Sequence, residues 1–169
     1  DVFVAKIDAS GNYLWAKQAG GISWDIGRAI STLSDGSAIV TGAFVGTATF
    51  GSTTLASAGN EDVFVAKIDA SGNYLWAKQA GGTSTDIGWG ISTLSDGSAI
   101  VTGEFSGTAT FGSTTLASAG TNDVFVAKID ASGNYLWAKQ AGGTSTDIGW
   151  GISTLSDGSA IVTGAFVGT

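Results

Sequence analysis

The chain has no cysteine, no histidine and no proline, and only 12% of its 169 residues are charged. Without cysteine there is no disulfide framework and no thiolate site, which leaves the redox compartment open. General bases and nucleophiles are usually His or Cys, so proton chemistry would fall to twelve Asp and two Glu. Charge is sparse and negative, −7 overall, with no block of one sign. Binding to nucleic acid or to an anionic membrane needs clustered Lys and Arg, so neither partner is expected. No apolar run approaches the ~20 residues of a membrane span. The start at Asp1, in mid-pattern, without Met and without a signal peptide, reads as an excised segment.

What is present is one motif written three times. DVFVAKIDASGNYLWAKQAGG begins at Asp1, Asp62 and Asp123, a period of 61 residues. Residues 1–169 therefore form a single repeat domain with units 1–61, 62–122 and 123–169, the third truncated. A unit of this size is a supersecondary element that buries its apolar faces only when neighbours stack on it. The 27 glycines recur at fixed positions in the repeat, so they punctuate turns and do not mark a disordered linker.

Within the second unit, residues 62–69 (DVFVAKID) and 74–79 (YLWAKQ) flank a Gly-Asn turn and read as a hairpin. A loop over 80–86, with its Gly-Gly pair as a hinge, leads to 88–94 (GWGISTL). Ser95-Asp96-Gly97 then turns the chain into 98–105 (SAIVTGEF). The remaining stretch, 106–122, is an excursion with a small hairpin around Gly112-Ser113. No segment carries apolar residues at helical spacing, so the chain is all-β. Val63, Phe64, Val65 and Ala66 are consecutive, as are Ala99, Ile100 and Val101, which predicts strands buried on both faces. Short antiparallel sheets packed on both sides by their own copies are the blades of a β-propeller. A β-solenoid would have shorter coils, and a β-sandwich would not repeat every four strands.

The pairing of DVFVAKIDASGNYLWAKQAGG with GISTLSDGSAIVTG resembles the bacterial β-propeller repeat family known as SBBP, and the resemblance covers all three copies. It implies four-stranded blades and a secreted or surface-exposed bacterial protein, and it supplies no catalytic residue set. The near identity of the copies departs from ordinary members and points to recent amplification or deliberate design.

With blade strands lettered A to D from the axis outward, SDG joins A to B and DASGN joins C to D. The chain then runs C-D, A-B-C-D, A-B-C-D, A-B, with half a blade at each end. Unpaired edges are adhesive, and three blades fall short of the usual ring of about four to eight. Head-to-tail closure between copies, the velcro arrangement, is therefore expected. A homo-oligomeric dimer of six blades is favoured, and a trimer of nine comes second.

No catalytic, cofactor or metal site is expected. Asp8, Asp35, Asp69, Asp96, Asp130 and Asp157 sit in turns, where the side chain bonds the backbone two residues on. DASGN offers one carboxylate where a calcium loop has three or more, and the Gly-Gly pairs lack the Lys and helix of a phosphate loop. Trp15, Trp76 and Trp137 recur unchanged and read as inter-blade packing.

Units one and two differ at Ile22/Thr83, Trp24/Thr85, Arg28/Trp89, Ala29/Gly90, Ala43/Glu104, Val45/Ser106, Asn60/Thr121 and Glu61/Asn122. All eight lie in or beside the D-to-A loop and the B-to-C excursion, which share one face of a propeller. Either this is drift in loops or it is a variable recognition face on a fixed scaffold. The second reading nominates Trp24, Arg28, Trp89, Glu104 and Trp150 as a face for a glycan or a protein ligand.

Overall fold

The structure, a computed structural model, describes residues 1–167; the last two positions of the third unit, 168 and 169, lie outside the described residues. Sixteen strands and no helix occupy them. The opening hairpin is β1 (Val2–Ile7) and β2 (Tyr13–Gly21). Next come β3 (Asp25–Thr32), β4 (Ala38–Phe44), β5 (Thr47–Phe50), β6 (Thr53–Ala56), β7 (Asp62–Ile68) and β8 (Tyr74–Gly82). The same series repeats as β9 (Asp86–Thr93), β10 (Ala99–Phe105), β11 (Thr108–Phe111), β12 (Thr114–Ala117), β13 (Asp123–Ile129) and β14 (Tyr135–Ala141). A last hairpin is β15 (Asp147–Thr154) and β16 (Ala160–Phe166).

Two complete antiparallel blades result, β3-β4-β7-β8 and β9-β10-β13-β14, with the half-blades β1-β2 and β15-β16 at either end. This is β-propeller architecture with three blade equivalents. The A strands adjoin one another at the inner edge. Ser31 and Thr93 hydroxyls lie 2.9 Å apart, and Ser92 and Thr154 repeat the contact at the next junction.

The core sits between sheets rather than within one. Val2, Val4, Val40, Phe44 and Phe64 form one cluster, and Val63, Val65, Val101, Phe105 and Phe125 form the next. Every residue of β10 is buried, as the consecutive apolar run predicts.

The small hairpin forms where the sequence places it, but it joins a different sheet. β5-β6 leaves the first full blade and pairs with β2 of the half-blade before it; β11-β12 pairs with β8 in the same way. Each excursion thus adds two strands to the outer edge of the sheet before it, giving β1-β2-β5-β6 and the six-stranded β3-β4-β7-β8-β11-β12. Its phenylalanine clips the junction: Phe50 lies 4.8 Å from Phe64, and Phe111 lies 4.7 Å from Phe125.

This corrects the reading of Gly20-Gly21 and Gly81-Gly82 as loop hinges. They lie in β2 and β8, and a Cβ on Gly82 would stand 1.7 Å from the carbonyl oxygen of Thr108. Only glycine admits the hairpin that closely. β14, which has no such hairpin beside it among the described residues, ends at Ala141.

Candidate functional site

Two sets of loops meet on one face of the sheets. The end of each excursion runs against the following D-to-A loop: Asn60 N–H donates to Ser84 O (3.1 Å), and Asp86 N–H donates to Glu61 O (2.8 Å). Thr121, Asn122, Ser145 and Asp147 repeat the arrangement one unit on. The positions that differ between copies therefore do share a face.

A backbone irregularity aims the next residue. In β3 the register steps from Gly27 opposite Gly42 to Ala29 opposite Thr41, which leaves Arg28 as the extra residue of a β-bulge. Trp89 and Trp150 occupy the same bulge in β9 and β15. A bulge bends its strand and re-aims the added side chain. It forms here because glycine stands opposite: a Cβ on Gly103 would meet the Ile87 carbonyl oxygen at 1.9 Å.

At one junction these side chains connect. The Arg28 guanidinium lies over the Trp89 ring, 4.3 Å from its centroid. The Trp89 Nε1–H donates to Glu104 Oε1 at 3.0 Å, and the Asn122 amide donates to Glu104 Oε2. Glu104 is only 6% exposed, so these two donors are what make its burial tolerable. Three of the five nominated residues thus form a single network, together with Asn122. Trp24 is 77% exposed and lines the same cavity as Arg28. Trp150 is also exposed, with Ala165 where the network has Glu104.

Convergence bears on the choice between drift and recognition. Arg28/Trp89, Ala43/Glu104 and Glu61/Asn122 are three separate differences between units, yet they meet at one place. Independent drift has no reason to leave a buried carboxylate, its two donors and a stacked cation in contact.

The unchanged positions behave as structure. All six turn aspartates accept the backbone N–H two residues on, at 2.8–2.9 Å. Hydrogen bonds from Asn12, Ser37, Asn73 and their equivalents, backed by the N–H two residues on, hold the carboxyls below the usual range. In DASGN both oxygens of Asp69 face N–H donors of Ser71 and Asn73. Trp15 and Trp76 each donate Nε1–H to a carbonyl in the next blade, Ala70 and Ala131, at 3.1 Å.

Sequence reasoning missed the other aspartates. Asp62 begins β7 and Asp86 begins β9, both wholly buried. Their Oδ1 atoms have no partner, and an oxygen of each lies within 2.8 Å of the point a Cβ on Gly81 would occupy. Burial pushes Asp86 up to about 6, with Asp62 adding repulsion, and burial also raises Asp62. The available signal was a spacing of 24 residues, shared by Asp1/Asp25, Asp62/Asp86 and Asp123/Asp147. Being fully buried, the Asp62–Asp86 pair has no opening to a substrate.

Over 115 residues, 64% of its length, the chain is 29% identical to an uncharacterized WD repeat-containing protein of Acanthamoeba polyphaga mimivirus. The chain spans 8% of that protein's length. The similarity agrees with a propeller-type repeat. No family model matches the chain.

Proposed function

We propose that this chain is a non-enzymatic propeller scaffold that closes into a ring by docking copies of itself, two chains giving six blades. The observation that carries the reading is that the contacts missing at one end are those missing at the other. Strand β4 pairs with β7 in the register Thr41 opposite Val65, and β10 pairs with β13 as Thr102 opposite Val126. Carried one period on, Thr163 of β16 would lie opposite the partner's Val4. Trp137, third in the series of Trp15 and Trp76, would donate to the partner's Ala9 carbonyl. Ser153 would meet the partner's Thr32 as Ser31 meets Thr93.

The exposed edges fit this closure. A cavity of about 720 Å³ opens beside β1 and β3, lined by Phe3, Val4, Ile26, Gly27, Ile30 and others. Gly88 and Gly149, the equivalents of Gly27, pack on Thr41 and Thr102 of the preceding B strand, whereas Gly27 meets no such threonine. Covering Phe3, Ile30, Ile161 and Phe166 would stabilise the assembly by about 1.5–3 kcal/mol each. Native mass spectrometry tests it: twice the 16.8 kDa chain mass is expected. Three times that mass would replace six blades by nine, and a stable monomer would contradict closure.

A second reading is a binding module, for a glycan or a protein, that uses the face of Trp24, Arg28, Trp89, Glu104 and Trp150. The convergence of copy-specific residues favours it. The two readings are compatible, because a ring presents that face repeatedly. Placement outside a bacterial cell or on its surface, and membership of the SBBP repeats, rest on the motif resemblance and belong to the proposal.

A further inference from the structure

We propose that Arg28 anchors a site for a carboxylate-bearing saccharide, a uronic acid residue, with Trp24 beside it as a stacking surface. The inference rests on the binding-face reading and names the ligand for it.

Arg28 is the single arginine of the chain, and all six lysines recur unchanged on the C and D strands. Arg28 is exposed, and its guanidinium lies over the Trp89 ring, 4.3 Å from the centroid. Stacking uses the face of the group and leaves its edges, which carry the N–H donors. No hydrogen bond or ion pair takes up those donors among the described residues. The nearby carboxylates are committed elsewhere: Glu104 to the Trp89 Nε1–H and to Asn122, and, of the two aspartates that line the same cavity, Asp25 to the Gly21 N–H and Asp1 to the Gln18 amide. An indole N–H lies in the ring plane, so Glu104 sits at the edge of Trp89 while Arg28 lies over its face. A carboxylate bound to the N–H enriches the ring in electrons and tightens its hold on the cation. The result is a guanidinium held at the Trp89 ring with its N–H donors free, and a guanidinium's paired N–H groups take a planar carboxylate through two parallel hydrogen bonds.

The surroundings suit a sugar. Trp24 offers a broad, exposed ring on the same cavity rim. Ser23, Ser84, Thr85, Thr121 and Asn122 supply hydroxyls and an amide to this face, and Lys and Arg other than Arg28 are absent from the nearby loops. In a chain of net charge −7 a general electrostatic attraction for anions is missing, so recognition has to be local. Ring closure covers the apolar floor of the cavity, but the bulge position stays accessible: Trp89, flanked by blades on both sides, is still half-buried.

The test titrates the intact protein with tetragalacturonate, followed by tryptophan fluorescence and by calorimetry, with maltotetraose and tetraglutamate as comparisons. A saturable response to tetragalacturonate alone is expected. Arg28→Trp and Trp24→Thr each import the residue that another copy already carries, so both variants fold. Arg28→Trp should weaken binding about tenfold, the loss of one charge-assisted pair. No saturable response, or an unchanged affinity in Arg28→Trp, overturns the proposal. Equal binding of tetraglutamate overturns the saccharide assignment. Binding of maltotetraose that needs Trp24 and ignores Arg28 overturns it too, while leaving the binding face itself standing.

Discussion

Strands β10 and β16 share six of seven residues, AIVTGEF against AIVTGAF, yet β10 is buried throughout and no residue of β16 is. Strands β7 and β1 make the same contrast on the other edge, with Phe64 at 0% exposure and Phe3 at 78%. Sequence dictates the strand and its register, while neighbours dictate whether its apolar side chains leave water. A repeat therefore has no core of its own, and stability resides in junctions between units.

Substitutions at equivalent positions separate these roles. The largest effect is expected from Val101→Asp in β10, which buries a charge without a partner and should unfold the chain, read by circular dichroism. The same change at Val162 in β16 should leave the strands intact and abolish assembly, read by sedimentation. Next, Phe125→Ala should cost about 3–5 kcal/mol in urea unfolding. Phe3→Ala should cost far less in a monomeric background and act chiefly on association.

Proton chemistry sharpens the contrast between buried and turn aspartates. The folded pKa of Asp86, about 6, stands above its ordinary 3.8, so the folded state binds the proton more tightly. That contribution is fully present below pH 3.8 and is lost as pH rises through 6, on the order of 2–3 kcal/mol. Asp86→Asn should flatten the stability profile between about pH 4 and 6 in thermal melts. The turn aspartates run the opposite way: their lowered values give stability that is present above 3.8 and falls away in acid. Asp69→Ala should cause the smallest loss, a modest drop in the urea midpoint, together with a weaker decline at low pH.

Much of this was legible in the residues. The consecutive run Val63–Phe64–Val65–Ala66 announced burial on both faces, and SDG and DASGN announced their turns. The swap of Trp for Arg at position 28 announced a position outside the core. What was not legible depended on contacts across units. Gly81-Gly82 looks like a hinge until β11 lies against it, and TATFGSTTLA gives no sign of which blade its hairpin will join. The Asp62–Asp86 pair was hidden because the two residues start different strands in different blades, and only the fold brings them to one glycine.

The claim that the two half-blades complete one another between molecules can be tested by placing cysteines across the expected seam. The register Thr41–Val65 and Thr102–Val126 carries Thr163 to the partner's Val4, cross-strand neighbours within disulfide reach. Val4→Cys combined with Thr163→Cys in this cysteine-free chain should oxidise to a covalent, closed dimer that runs at twice the chain mass and is released by reductant. A protein that stays monomeric at high concentration, or that links only within one chain, would contradict the account.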